Sequence, residues 1–347
     1  MLIGLIGDLH LGIRDGNEAF LDFQLNWLEK TIESYKKAGV ERIIQLGDMF
    51  DVRKNTNNQV LTALIEVFIP MVVEAGIPWY VLVGNHDLYY RRSTRVHTTR
   101  LLTAVAPDMF KVIGTPTEID GIAMFPWVCD DNIEAVDAMI KSTTCDIAVG
   151  HFEFSGFSMY ANHTAAHGMD SSAWSKFDHV YSGHYHTVST KGNVTYCGSP
   201  YHLTWADEPD GVNRGWWLLD TDKKKAVLQP NDIQDTLFVT YTYDPDIKYE
   251  PHHLTHLEGK IARVVVNDKP DIKAYNSFVK ILNQTNTISH RIIDNTIVDV
   301  SAAPTVQVDH SVGIDGIITA YCEEIAVPQP VVAAFTDLHL RAKSNIS

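Results

Sequence analysis

The sequence predicts an α/β sandwich, with helices packed on sheets. Three observations carry this reading. Short apolar runs that read as buried strands alternate with helical periods through the first half. Each of those runs ends on a polar motif, and beyond Gly183 the texture changes to short strands between Gly and Pro turns. The strand runs are Leu2–Ile6, Ile43–Leu46, Trp79–Val83, Ile147–Val149 and His179–Tyr181. Between them, Phe20, Phe23, Trp27 and Tyr35 mark a helix that Gly39 stops. Val60, Leu64, Val67, Phe68 and Met71 mark a second helix, and Leu101, Leu102 and Val105 a third.

Polar, proline-containing stretches at 229–235 and 243–256 predict a boundary. The expected organisation is a motif-bearing domain over 1–230, a smaller α+β unit over 231–304, and C-terminal helices over 305–347. In the small unit, 261–266 and 288–293 read as strands and 272–282 as a helix. A copy of the first motif, Asp337-x-His339, lies in a helical pattern without glycines and reads as coincidence.

Bulk properties narrow the function classes. A net charge of −15 over 347 residues disfavours a protein that wraps polyanions with its whole surface, so any nucleic-acid contact needs a focused basic patch. The four cysteines form no Cys-x-x-Cys pair and read as buried, reduced thiols in a reducing compartment. No secretory signal is visible. The most apolar region, 60–83, is interrupted by Glu66, Pro70, Glu74, Gly76 and Pro78, which argues against a membrane span. The expectation is a soluble, cytoplasmic protein.

Five motifs follow the strand runs in order: Asp8-x-His10, Gly47-Asp48, Gly84-Asn85-His86-Asp87, Gly150-His151 and Gly183-His184-Tyr185-His186. Strand ends thus deliver carboxylates, imidazoles and an amide to one sheet edge, the donor set of a two-metal phosphoester-cleaving site. Asp48, with two oxygens, is suited to bridge two ions about 3.5–4 Å apart. Mixed N/O ligation favours Mn²⁺, Fe²⁺ or Zn²⁺ over Mg²⁺ or Ca²⁺. His86, beside Asn85, is the candidate to stabilise the transition state or protonate the leaving oxygen. Asp87 is expected to orient His86 and keep it cationic. The other histidines, His202 among them, read as loop or surface residues.

At every motif the chain resembles the calcineurin-like metallophosphoesterase superfamily. The resemblance implies a four-layer β-sandwich flanked by helices. It also implies one metal on Asp8, His10, Asp48 and His186 and a second on Asp48, Asn85, His151 and His184, with Mn²⁺ the expected ion, as in the family's nucleases. The stretch Tyr196-Cys197-Gly198-Ser199-Pro200, with Leu203-Thr204-Trp205 after it, is similar to the nuclease subunits of the MRE-eleven/SbcD type. It nominates Ser199 and Tyr201 as substrate contacts. Overall length looks most like the T-even-type phage recombination endonuclease subunits. That branch implies 3′→5′ exonuclease action on duplex DNA ends and endonuclease action on single strands. It also implies a homodimer, a capping domain on DNA, and an SbcC-like coiled-coil ATPase partner, in the host cytoplasm if phage-encoded.

One departure stands out. Where archaeal and eukaryotic members carry histidine three residues after the bridging Asp, this chain has Asp51, read either as an orienter of a ligand or as a turn cap. Arg91, Arg92 and Arg95, with Arg100, form the densest basic run and are candidate phosphate contacts. After residue 230 there are nine Lys and Arg against fifteen Asp and Glu, so the small unit is not globally basic. Two other readings stay open: a small-molecule phosphodiesterase or phosphatase of the same superfamily, and a non-catalytic DNA-end scaffold.

Overall fold

The computed structural model of the chain describes residues 1–160, 163–232 and 236–296. The expected C-terminal helices of 305–347 and the Asp337-x-His339 repeat lie outside these residues.

The chain opens with strand β1 (Leu2–Ile6) and helix α1 (Glu18–Ala38). The Asn17 side chain accepts from the Phe20 amide at the start of α1, and Gly39 ends it with a left-handed φ of 71°. Phe20, Gln24, Trp27, Leu28, Thr31, Ile32 and Tyr35 recur at helical spacing and form its buried face. Next come β2 (Arg42–Gln45), helix α2 (Asn58–Ala75) and β3 (Trp79–Leu82). Pro70 lacks the amide that an α-turn would pair with Glu66, and the backbone widens into a π-turn over Leu64–Phe68. By length and composition α2 could cross a membrane, but Val60, Leu64, Phe68, Ile69 and Val72 lie in one cluster with Ile43, Trp79 and Val81. That is the apolar stripe of a core helix.

The hairpin β4 (Leu88–Tyr90) and β5 (Ser93–His97) precedes α3 (Arg100–Val105) and β6 (Phe110–Ile113). Then follow β7 (Thr117–Ile119), β8 (Ile122–Phe125), α4 (Ile133–Ser142) and β9 (Ile147–His151). After the short β10 (Ser158–Tyr160) and β11 (His163–Thr164) come β12 (His179–Gly183), β13 (Ser189–Lys191) and β14 (Val194–Tyr196). The chain continues through β15 (Gly215–Asp220), β16 (Lys225–Pro230), β17 (Phe238–Thr242), β18 (Ile261–Val266), α5 (Ile272–Gln284) and β19 (Ser289–Asp294). Strands β4 to β8, β10, β11, β13 and β17 and helix α4 go beyond the expected set; at two to five residues each, the strands are too short for a period of two to stand out.

Two six-stranded sheets, β16-β15-β1-β2-β3-β6 and β13-β14-β12-β9-β8-β7, form the sandwich. Leu5, Ile44 and Leu82 from one meet Met124, Val149 and Tyr181 from the other in the layer between them. Trp27, Leu28, Phe68 and Val72 of α1 and α2 cover the outer face of the first sheet. On the second, Val136 and Ile140 of α4 join Phe152, Phe154 and Trp174. The four-layer α/β architecture is the one expected.

The chain divides into two compact units. The first takes in residues 1–241, 250–263 and 280–291, so it continues past residue 230. Within it Leu237, Phe238 and Ile261 pack with Phe20 of α1, and Trp205 lies against Phe238 with ring centroids 5.0 Å apart. Of the second unit, Tyr243, Tyr249 and Phe278 form an aromatic cluster with centroids 4.6–5.5 Å apart.

Candidate metal centre

Five strands end at one place. Asp8 and His10 follow β1, Asp48 follows β2, Asn85 and His86 follow β3, His151 closes β9, and His184 and His186 follow β12. β1, β2 and β3 run parallel in the first sheet, as β9 and β12 do in the second, so all five present their carboxyl ends together. The ligand atoms of Asp8, His10 and His186 lie within 4.8 Å of one another, as do those of Asp48, His151 and His184.

Hydrogen bonds fix the tautomers. His151 Nδ1 donates to the Leu46 carbonyl at 2.7 Å, so Nε2 is the ring nitrogen turned toward the site. Nε2 lies 2.9 Å from Asn85 Oδ1 and 3.3 Å from Asp48 Oδ2. His184 Nδ1 approaches the same Asn85 oxygen at 3.0 Å. An imidazole, an amide oxygen and a carboxylate at these positions would share a divalent ion once His151 gives up its second ring proton. On the other side His10 Nδ1 donates to the Asp51 carboxylate at 3.0 Å, and His10 Nε2 is buried with no hydrogen-bond partner. Its lone pair is 3.7 Å from Asp48 Oδ2. These residues fit divalent ions, and a buried orphan nitrogen has no other evident use.

The backbone is bent to make this arrangement. His10, Asp48 and His184 adopt left-handed φ values of 44°, 53° and 87°. Each such residue stores roughly 1–3 kcal/mol of strain, which is characteristic of functional sites. Gly84 is required for close approach, because a Cβ there would sit 2.2 Å from the Asp48 amide nitrogen. Gly47, at φ 98°, would drive a Cβ within 2.3 Å of His151 Nδ1.

Protein charges alone set the protonation states. Burial raises Asp48, but His151, His10 and His86 outweigh it and hold the carboxyl far below the usual range. Burial lowers His151, yet Asp48 and Asp8 push it up to about 9. Asp8 is raised to about 6, chiefly by burial. His184 falls to about 3 through burial and the neighbouring His151 charge, so it is a neutral nitrogen donor at pH 7.

Several expected roles need correction. The Asp87 carboxylate takes its hydrogen bonds from backbone amides and makes none to the His86 ring. Fully buried, it accepts from the Gly84 amide at 2.9 Å and the Phe50 amide at 3.1 Å, and burial raises its pKa to about 7. His86 is instead held by its Nδ1, which donates to the Asp51 carbonyl at 2.8 Å, and burial lowers its pKa, so it is not kept cationic. Asp51 thus supports two histidines, one through its carboxylate and one through its backbone.

Ser199 and Tyr201 are buried and face no substrate. The Tyr201 hydroxyl donates to the Leu9 carbonyl at 2.6 Å, and Gln24 of α1 donates to Leu9 and His10 carbonyls at 2.9 and 3.0 Å. Together they hold the turn that carries Asp8 and His10. Ser199 is bound by Arg214, which also donates to the His186 carbonyl at 2.7 Å and to Asp207 at 3.1 Å. Arg214 and Gln24 act only through folded contacts, and no motif in the sequence marks them.

Arg92 and Arg95 are exposed and lean on Asp130 and Asp131 at 3.4 and 3.6 Å. Arg91 instead lines a cavity of about 270 Å³ beside the cluster with Arg53, Trp127, Glu153, Asn85 and His184. Arg53 and Trp127 were not foreseen, since neither belongs to a motif. Two other expectations also change. His202 is buried, its Nε2 donating to the Gly211 carbonyl at 3.0 Å. Of the described cysteines, all free, only Cys197 is buried; Cys129 and Cys145 are half-buried.

Residues 1–188 match the calcineurin-like phosphoesterase family, and the chain belongs to it. It is therefore a metal-dependent phosphodiesterase of the superfamily's nuclease branch, as its relatives indicate. One relative is exonuclease subunit 1 of Enterobacteria phage T4, 32% identical over 296 residues that cover 84% of each chain. Another is the DNA double-strand break repair protein Mre11 of Sulfurisphaera tokodaii. It is 28% identical over 145 residues, 39% of this chain and 36% of that protein.

Proposed function

We propose that the chain is a two-metal-dependent DNA nuclease that processes DNA ends in recombination and repair. It degrades duplex ends 3′→5′ and cuts single strands. One ion is held by Asp8, His10, Asp48 and His186, the other by Asp48, Asn85, His151 and His184, and Mn²⁺ is the expected metal. The observation that carries this is the convergence of His151 Nε2 on Asn85 Oδ1 at 2.9 Å and on Asp48 Oδ2 at 3.3 Å.

When bound, two divalent ions lower the pKa of a shared water and neutralise phosphate oxygens. The protein supplies the rest. Its five strand ends hold the ligands in place, and His184 and His151 present neutral or displaceable nitrogens. His86, its Nδ1 proton committed to the Asp51 carbonyl, keeps an Nε2 lone pair that would take a proton from the attacking water and then pass it to the leaving oxygen. Arg91 with Arg53 offers positive charge to the phosphates flanking the scissile bond. Asp87 works at one remove, by holding the Asn85–His86 loop against Phe50.

The capping element of 231–304 is proposed to contact DNA, and 305–347 to bind an SbcC-like coiled-coil ATPase. A homodimer would form through the exposed apolar side chains of α2 and α3, which include Ile65, Val73, Leu101 and Val105. The site of action would be the cytoplasm. An assay on end-labelled duplex and single-stranded DNA with Mn²⁺, comparing the native chain with His86→Ala, tests the reading. Cleavage of nucleotides or phosphomonoesters but of neither DNA would move the chain to the small-molecule phosphodiesterases. Full metal binding with no hydrolysis of any ester would leave only a scaffold.

A further inference from the structure

We propose that the β4–β5 hairpin is a platform for single-stranded nucleic acid, its two adjacent tyrosines stacking on unpaired bases beside the metal centre. The inference rests on the nuclease reading and deepens it. Tyr89 and Tyr90 are 41% and 57% exposed, an unusual cost for two large aromatic side chains in a loop-like element. Their rings form an edge-to-face pair with centroids 4.8 Å apart. They begin two residues after Asp87, and the hairpin tip that follows them is Arg91-Arg92.

The surroundings specify the partner's chemistry. Lys54 Nζ lies 5.9 Å from the Tyr89 ring centroid, and Arg53 and Arg91 line the cavity beside Asn85 and His184. In a chain of net charge −15, cations interleaved with exposed aromatic faces match a phosphodiester strand with unpaired bases. A protein partner would meet a patch rich in Arg and Lys, whereas a duplex would present base pairs already stacked on one another. Trp127, half-buried, has its ring centroid 5.0 Å from that of His184 and lines the same cavity. Arg91 follows Tyr90 in the chain and Arg53 precedes Lys54, so both tyrosines adjoin residues that line or flank the cavity, which Glu153 also lines.

The test uses the full chain and its Tyr89→Ala/Tyr90→Ala and Tyr89→Phe/Tyr90→Phe variants. Binding to a labelled oligothymidylate and to a blunt duplex is read by fluorescence anisotropy, with EDTA present to block turnover. Hydrolysis of bis(4-nitrophenyl) phosphate with Mn²⁺ reports whether the centre is intact. The expected result for the alanine pair is a single-strand Kd raised roughly tenfold or more, with duplex affinity changed less than about twofold. Hydrolysis of the small diester should be unchanged, and the phenylalanine pair should bind as the native chain does. An unaltered oligothymidylate affinity in the alanine pair would overturn the proposal. So would an equal loss on duplex, or a loss shared by the phenylalanine pair. If the native chain hydrolyses the small diester but neither binds nor cuts nucleic acid, the nuclease reading falls and this platform with it.

Discussion

Asp48 and Asp87 are both buried carboxylates in Gly-containing turns, yet their surroundings give them opposite chemistry. Asp48 is ringed by His151, His10 and His86 and stays ionised; Asp87 sees backbone amides and the Asp48 charge, and protonates readily. The spacing Gly-Asn-His-Asp marks both the ligand and the neighbour, but it does not say which atoms touch. That is why Asp87 reads from sequence as a partner of His86 when it ties down Gly84 and Phe50. Asp87→Asn should therefore keep the fold while losing acceptors that face amide donors. The expected cost is about 1–3 kcal/mol of unfolding free energy, measured by urea denaturation. His86→Ala removes a group proposed to exchange a proton rather than hold metal. It should leave metal content unchanged by atomic emission and lower turnover by roughly 10²–10⁴-fold.

Secondary-structure elements carry the ligands, and what fastens them is the part that sequence patterns conceal. Strands β1, β2, β3, β9 and β12 were legible because apolar runs meet polar motifs at their ends. The long-range clamps were not, since Gln24 and Tyr201 meet across 177 residues of chain. Arg214 grips the turn carrying His186 from 28 residues away, and it is fully buried beside Asp207. Arg214→Met should strand the Asp207 charge and destabilise the protein by about 3–5 kcal/mol, with His186 loosened first. Thermal denaturation and loss of one bound metal per chain would check it. The β4–β5 hairpin makes an electrostatic prediction as well. If Arg53 and Arg91 each meet a strand phosphate, Arg53→Ala/Arg91→Ala should flatten the log Kd against log salt slope by about 1.4. An unchanged slope would place both cations off the DNA path.

The whole chain faces an electrostatic problem that its fold alone does not solve. At net charge −15 it gathers Asp8, Asp48 and Asp87 into one buried corner, where burial and the Asp48 charge push the pKa values of the other two up. The same residues that made the centre legible in the sequence make it unstable without cations. Divalent ions that bind only the folded state stabilise it by RT ln(1 + [M]/Kd), about 2.7 kcal/mol at a hundredfold excess over Kd. Chelator-treated protein should accordingly melt lower than protein in Mn²⁺, by roughly 4 °C for each ion held at that excess in a chain of this size. The gap should widen with Mn²⁺ concentration. Asp48→Asn weakens the shared ligand of both proposed ions and should shrink the metal-dependent shift. His86→Ala and Tyr89→Ala/Tyr90→Ala should keep it. A native chain whose melting temperature ignores Mn²⁺, Fe²⁺ and Zn²⁺ alike would mean that the converging acceptors hold no ion, and phosphoester cleavage could not be built on them.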